Sequence, residues 1–323
     1  MRAVQVRQTG GPEVLELADL PEPKAGEGEL LVAVAAAGVN YIDTYQRSGM
    51  YPLQTPFVLG MEGAGTVREV GTGVDGLSVG DRVAWCDTMG SYAEQAVVPV
   101  SDAVVVPDGV PDDVAGGMLL QGITAHYLVT DTYSVQPGDT VLVHAAAGGV
   151  GQLLTQLVTA GGGRVIGTVS TEAKEELARE AGAADVIRYT ETDDLPAEVR
   201  ERTGDKGVDV VYDGVGASTF DASMASLRRR GTLVLYGASS GAVPPMDPQR
   251  LNAAGSLYLT RPKLKDYIAT REELESRAAA VLAAVADGSL RLRISERYPL
   301  EDARTAHEDL QSRRTTGKLL LIP

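Results

Sequence analysis

Residues 38–52, GVNYIDTYQRSGMYP, hold three tyrosines in a chain that is only 5% aromatic. Tyr41, Tyr45 and Tyr51 stand among Asn40, Asp43 and Arg47, a mixture too polar for a core strand. A tyrosine ring offers a flat apolar face and a phenol donor at once, which suits a ligand-binding wall. The same composition also suits a surface loop pinned by its rings, because Tyr and Asn are common in loops. Asp43 either orients a hydroxyl or serves the structure, and Arg47 reads as a surface residue.

A second stretch, VLVHAAAGGVGQLL (141–154), sets small residues between an apolar strand and a helical pattern. Its core runs Ala146, Ala147, Gly148, Gly149, Val150, Gly151, a variant of the dinucleotide fingerprint with Ala in the first Gly position. A pyrophosphate needs a tight backbone turn there, with N–H groups at the positive end of a helix. The last glycine allows helix and strand to pack closely. The next strand ends in Thr168, Val169 and Ser170, with no acid before Glu172. A site for NAD carries Asp or Glu at that place for the ribose hydroxyls. Here Ser170, Lys174 and Tyr189 offer a hydroxyl, an ammonium and a phenol, which suit a 2′-phosphate and favour NADP(H). Lys174 alone would read as a solvated helix residue.

These residues need elements to hold them. A chain of 323 residues is long for one core, so two domains are expected. Up to about residue 110, short apolar runs separated by Gly and Pro predict a β-rich unit. From about 123, apolar strands alternate with amphipathic helices, which predicts a doubly wound parallel sheet covered on both faces. After 260, the Thr270/Glu273 capping-box spacing opens a helix, and ERYPL and KLLLIP read as strands returning to the first domain. The expected boundaries are 1–122 with 261–323 for the β-rich domain and 123–260 for the nucleotide domain. The net charge of −15 disfavours nucleic acid and anionic membranes. No apolar run is long enough to span a bilayer, and no secretory signal is visible. The one cysteine, Cys86, rules out an internal disulfide and suits a reducing cytoplasm. The apolar VLYGASSGAV segment reads as a sheet edge that pairs across a two-fold axis in a homodimer, or is covered by its own chain.

The order of elements resembles the medium-chain dehydrogenase/reductase superfamily, carried by GMEGAG (60–65), VHAAAGGVG, VVYDGVG, YGASSGAV and GSLYLTRP. Within it the chain is most similar to the zinc-free, zeta-crystallin-like quinone oxidoreductases. The resemblance implies a GroES-like β-rich catalytic domain plus a doubly wound Rossmann parallel sheet. Zinc relatives take Cys and His ligands from two early segments, where this chain has Asn40 and Met61, so no metal is expected. His126, His144 and His307 are dispersed, and His144 reads as a core or turn histidine. By resemblance Asn40, Tyr45 and Tyr51 line a cleft over the nicotinamide, with Thr124 and Tyr127 approaching the cofactor. Tyr236, Gly237 and Ser239 are expected on the nicotinamide side, Arg261 at the cleft, and Arg313 or its neighbour Arg314 at the 2′-phosphate. The implied activity is metal-free hydride transfer from NADPH to a small-molecule quinone stacked between the domains. Two rivals stand beside it: an NADPH-dependent reductase of activated alkenes (enones or enoyl thioesters), and a non-catalytic nucleotide-binding or structural protein.

Overall fold

The computed structural model describes residues 1–323. Its N-terminal third follows the rhythm of short apolar runs. Strands β1 (Arg2–Val6), β2 (Leu15–Asp19) and β3 (Glu29–Val39) are followed by helix α1 (Tyr41–Ser48). Then come β4 (Phe57–Val58), β5 (Glu62–Val70), β6 (Arg82–Trp85), β7 (Gln95–Pro99), β8 (Val104–Val105) and helix α2 (Asp112–Tyr127). β3 is buried along most of its length because it is paired on both sides, antiparallel to β5 and β7. Its Leu30 and Val32 pack with Val67, Val83, Trp85 and Val98 in one core. Segment 38–52, expected as a loop or ligand wall too polar for a strand, is the end of β3, all of α1 and the turn after it.

The middle of the chain alternates as predicted. It runs β9 (Thr140–Val143), α3 (Gly149–Ala160), β10 (Arg164–Val169), α4 (Glu172–Glu180), β11 (Asp185–Arg188) and α5 (Leu195–Thr203). It continues with β12 (Val208–Asp213), α6 (Phe220–Ser226), β13 (Leu227–Leu235), α7 (Gln249–Ala253) and β14 (Tyr258–Thr260). All six strands are parallel, in the order β11-β10-β9-β12-β13-β14. That is the 3-2-1-4-5-6 order of a Rossmann sheet, with its switch point between β9 and β12. Residues such as Leu142, Ile166, Val211 and Leu233 are fully buried, as a sheet covered on both faces requires. β13 is not the sheet edge: residues 236–248 form no strand, and β14 pairs with β13 from the same chain.

The last quarter comprises α8 (Arg271–Ala286), β15 (Ile294–Pro299), α9 (Ala303–Gln311) and β16 (Lys318–Ile322). Thr270 caps α8 through the predicted box, its hydroxyl taking the Glu273 N–H at 3.3 Å while Glu273 takes the Thr270 N–H at 3.2 Å. β16 pairs antiparallel with β3 and parallel with β15, so the chain end completes the seven-stranded sheet of the N-terminal third. The chain divides into two compact units, Met1–Ile123 with Ile268–Pro323, and Thr124–Tyr267. The second unit runs on past β14 to Tyr267, whose ring stacks on Tyr127 at 4.0 Å and whose hydroxyl accepts from Thr132 at 3.0 Å. No helix is long and apolar enough to cross a membrane.

Candidate active site

The turn between β9 and α3 is built around the carbonyl of Ala145. That oxygen accepts the Gly148 N–H at 2.8 Å, and a Cβ at Gly151 would lie 2.3 Å from it. Only glycine therefore fits at 151. Gly148 is the N-cap of α3, and Gly149 and Val150 open its first turn. The first N–H groups of a helix have no carbonyl four residues back, so they face outward from the sheet's switch point.

Three of the residues expected at a 2′-phosphate, Ser170, Lys174 and Tyr189, lie at neighbouring strand ends in the second unit, and Arg313 belongs to the first. Ser170 follows β10 and Tyr189 follows β11, and these strands pair in parallel up to Val169 and Arg188. The Ser170 carbonyl accepts the Thr190 hydroxyl at 3.0 Å, tying the two strand ends. Lys174 sits in the first turn of α4, whose N-cap Thr171 takes the Lys174 backbone N–H at 3.3 Å. Tyr189 is 46% exposed. The sequence places no acid among them before Glu172.

On the other side of the switch point, the Tyr236 and Gly237 N–H groups donate to the Asp213 carbonyl at 2.9 and 3.3 Å. The Ser239 N–H donates to Gly214 O at 3.2 Å. Asp213 itself, which carried no role in the sequence reading, is fully buried and organises this corner. Its carboxylate accepts from the Val215 and Gly216 N–H groups and from the Thr219 and Ser223 hydroxyls, between 2.7 and 3.0 Å. Ser223 Oγ then meets His144 Nε2 at 2.9 Å, and His144 Nδ1 meets Thr168 Oγ1 at 2.9 Å. Burial lowers the His144 pKa, so the ring is neutral and, from the end of β9, bridges β10 and α6 as the expected core histidine. An acid at the C-terminal end of a buried strand, VDVVYD, is the available signal for Asp213. Arg261 is exposed, with its guanidinium on the Pro262 carbonyl at 3.2 Å.

The opening tyrosines stand on α1 in the first unit. The helix ends at Gly49, whose φ of +82° lets the chain fold back. The Tyr51 N–H then reaches the Tyr45 carbonyl at 3.0 Å. The two rings meet edge to face, with centroids 5.4 Å apart, and Tyr51 is 42% exposed. Tyr41 points elsewhere: its hydroxyl donates to Leu310 O at 3.1 Å, on α9. Asn40 is 3% exposed, and its amide is engaged by protein groups on both ends. Its nitrogen donates to Glu62 at 2.9 Å and to Gly38 O at 3.2 Å, and its oxygen accepts from Lys318 Nζ at 2.7 Å. Asn40 thus belongs to a buried cluster with Glu62 and Lys318, two residues to which the sequence reading gave no role.

Arg47 is not a surface residue. It is 2% exposed, donating to Gly10 O at 3.3 Å, His307 Nδ1 at 3.1 Å and Gln311 Oε1 at 3.0 Å. A guanidinium only donates, so His307 carries its proton on Nε2 and donates to Tyr92 at 3.2 Å. Tyr92 in turn donates to Asp43 Oδ2 at 2.9 Å. Asp43 also accepts the Asn40 N–H at 2.7 Å, while its Oδ1 has no partner. The sequence reading missed this because a one-residue slip along a short helix decides whether an arginine faces water or the core.

Thr124 lies near the end of α2 and is 8% exposed, and Tyr127 is 2% exposed with its ring face covered by Tyr267. Arg313 follows α9 with a left-handed φ of 57°, and the neighbouring Arg314 side chain is 80% exposed beside Asp309. No group of three or more His, Cys, Asp or Glu side chains is arranged to hold a metal ion.

Comparison with known proteins gives this geometry a family. Residues 26–108 match the alcohol dehydrogenase GroES-like domain, and residues 149–283 match the zinc-binding dehydrogenase model. The quinone oxidoreductase of Salmonella typhimurium is 44% identical over 99% of both chains, and quinone oxidoreductase 1 of Escherichia coli is 43% identical over the same shares. Among solved structures, mycobacterial Rv1454c complexed with NADPH superposes with a TM-score of 0.97 at 53% identity, covering all of both chains. The Escherichia coli quinone oxidoreductase complexed with NADPH gives a TM-score of 0.98 at 42% identity, also over all of both chains. Similarity of this extent, across both units and every element, is decisive: the chain belongs to the quinone oxidoreductases of the medium-chain dehydrogenase/reductase superfamily.

Proposed function

We propose that the protein is an NADPH-dependent quinone reductase. The observation that carries the reading is full-length identity of 41–44% to three bacterial quinone oxidoreductases, together with NADPH in two of the superposable structures. The residues fit that cofactor. The turn at Gly148, Gly149, Val150 and Gly151 is small enough for a pyrophosphate to approach the N-terminus of α3. Ser170, Lys174 and Tyr189 offer two hydroxyl donors and a cation for a 2′-phosphate, with Arg313 as a further cation. Thr124 is assigned to the catalytic residues beside the nicotinamide, and Tyr127, Tyr236, Gly237, Ser239 and Arg261 to the cofactor, Tyr127 as backing for the wall rather than as a face.

Bound NADPH supplies the hydride. Tyr45 and Tyr51 hold the quinone by their ring faces and exclude water, and the exposed Tyr51 phenol donates to a quinone oxygen. The charge left on a reduced quinone spreads over its ring, so a phenol donor suffices where an aliphatic alkoxide would need a Lewis acid. Asn40 contributes from the N-cap of α1, with both ends of its amide held by Gly38, Glu62 and Lys318.

One observation favours a second reading. A 2-haloacrylate reductase from Burkholderia is 40% identical over 99% of the chain. The same tyrosine wall can hold an activated alkene. Turnover with NADPH of a para-benzoquinone, an enone and a haloacrylate in parallel separates the two. Selective quinone reduction supports the proposal, and selective alkene reduction replaces it. The same reading takes the chain as a cytoplasmic homodimer. The exposed Tyr258 on edge strand β14 and the single buried cysteine support this, and sedimentation velocity tests the dimer.

A further inference from the structure

Lys318 and Glu62 form an ion pair in which both side chains have no exposed surface, with Nζ and Oε2 at 2.6 Å. They stand on β16 and β5, the two strands that flank β3, and face each other across Gly38. A Cβ at Gly38 would lie 2.2 Å from Glu62 Oε2 and 2.8 Å from Lys318 Nζ. Gly117 on α2 clears the other side, where a Cβ would come within 3.0 Å of the Lys318 stem. The slot is therefore built from missing side chains on two elements. Glu62 Oε1 is satisfied by the Leu120 N–H at 2.7 Å.

Such a pair is a poor source of stability. Desolvating two ions offsets most of their attraction, and well-packed apolar substitutes of the same volume are often as stable or more so. What the pair does supply is direction. Lys318 takes the oxygen of the Asn40 amide at 2.7 Å and Glu62 takes its nitrogen at 2.9 Å, so the amide cannot flip. Asn40 is the N-cap of α1, and its backbone N–H is held by Asp43 at 2.7 Å in the first turn. Tyr45 stands one turn further on, and Tyr51 is tied to the Tyr45 carbonyl at 3.0 Å.

We propose that Lys318 and Glu62 are positioning residues: the buried ion pair fixes Asn40, and through it the start of α1 and the Tyr45–Tyr51 wall. For its effect on substrate the inference rests on the quinone reading above. For its effect on α1 it does not.

The test is the double variant Lys318→Met/Glu62→Gln, which removes both charges and keeps the volume. It should fold, with a melting temperature a few degrees below the wild type at most because the Asn40 amide loses a charged partner, and NADPH affinity should stay within about two-fold. Backbone amides of residues 41–51 should exchange with deuterium about ten-fold faster, with the rest of the first unit unchanged. The quinone KM should rise about ten-fold, with kcat changing less. Lys318→Met alone leaves a buried uncompensated carboxylate; should it fail to fold, the double variant still decides. A folded double variant with wild-type exchange over 41–51 overturns the proposal, as does a general loss of protection across the unit. If the wild type reduces no quinone, the functional reading fails separately, and the exchange experiment alone judges the ion pair.

Discussion

Tyr45 and Tyr51 meet edge to face at 5.4 Å because Gly49 turns the chain back and the Tyr51 N–H returns to the Tyr45 carbonyl. The pair is thus a fixed wall, with one ring partly buried and the other 42% exposed. Tyr51→Ala removes the outer ring and should raise the quinone KM about ten-fold or more, a loss of about 1.4 kcal/mol of ring contact. Tyr51→Phe keeps the face and loses only the donor, so it should fall between the two. Steady-state kinetics with saturating NADPH check the order.

Cofactor choice should follow the ends of β10 and β11. If Lys174 and Tyr189 donate to the 2′-phosphate as proposed, Lys174→Ala and Tyr189→Phe should each weaken NADPH by about ten-fold while leaving NADH unchanged. Ser170→Asp places a carboxylate where the ribose hydroxyls of NADH would be read, and should move the preference toward NADH. Titration of both dinucleotides against each variant tests this without any acceptor.

The turn makes a prediction about backbone space. Gly151→Ala drives a methyl to 2.3 Å from the Ala145 carbonyl, against backbone that cannot rotate away. It should lower stability by about 1–3 kcal/mol and weaken NADPH binding together. Gly148→Ala meets the same oxygen at 3.1 Å and should be milder in both respects. Thermal unfolding with and without NADPH distinguishes the two sites.

Two buried groups should oppose one another in the pH dependence of stability. Burial, with repulsion from Glu62, lifts the Asp43 carboxyl to about 7, against the stabilising contacts from the Asn40 N–H, Tyr92 and Lys318. Burial, with the Arg47 guanidinium alongside, pulls His307 down to about 3. Between about pH 4 and 6.5 the folded chain holds a proton on Asp43 that the unfolded chain lacks, so this group destabilises the fold as pH rises. Over the same range His307 lacks a proton that the unfolded chain holds, so it stabilises the fold as pH rises. The two slopes, each at most about 1.4 kcal/mol per pH unit, nearly cancel in the wild type. His307→Gln should unmask stability that falls from about pH 4 to 7. Asp43→Asn should unmask stability that rises to about pH 6.5. Denaturant titrations at three pH values read both slopes, and parallel slopes for the two variants would contradict the account.

Much of the fold was legible in the sequence because period and punctuation are local. The six parallel strands are visible as apolar runs, the capping box at Thr270 follows from spacing, and the return of KLLLIP to the first unit follows from the break in the strand–helix alternation. Gly151 was legible because a tight turn before a helix demands it. Lys318 was not, because a lysine opening a strand reads as its solvated end. Only the sheet order, which sets β16 and β5 on either side of Gly38, shows that its ammonium points inward to Glu62. Asn40 is placed at the cleft by the resemblance, and the contacts that hold its amide are not legible in the sequence. The partners that claim its amide lie 22 and 278 residues away. The edge strand was misplaced because YGASSGAV is apolar enough for a strand, yet it leaves β13 after Leu235 to follow Asp213 and Gly214 instead.

The central claim, that Tyr45 and Tyr51 hold a quinone for reduction by NADPH, is tested most directly by single-turnover mixing. NADPH-loaded protein, wild type and Tyr51→Ala, is mixed with a para-benzoquinone and the loss of reduced nicotinamide absorbance is followed. The account predicts rapid, saturable oxidation in the wild type, and in the variant the same NADPH binding with saturation only at about ten-fold higher quinone. A wild-type protein that binds NADPH but passes no electrons to any quinone, or a Tyr51→Ala variant with unchanged saturation, would contradict it.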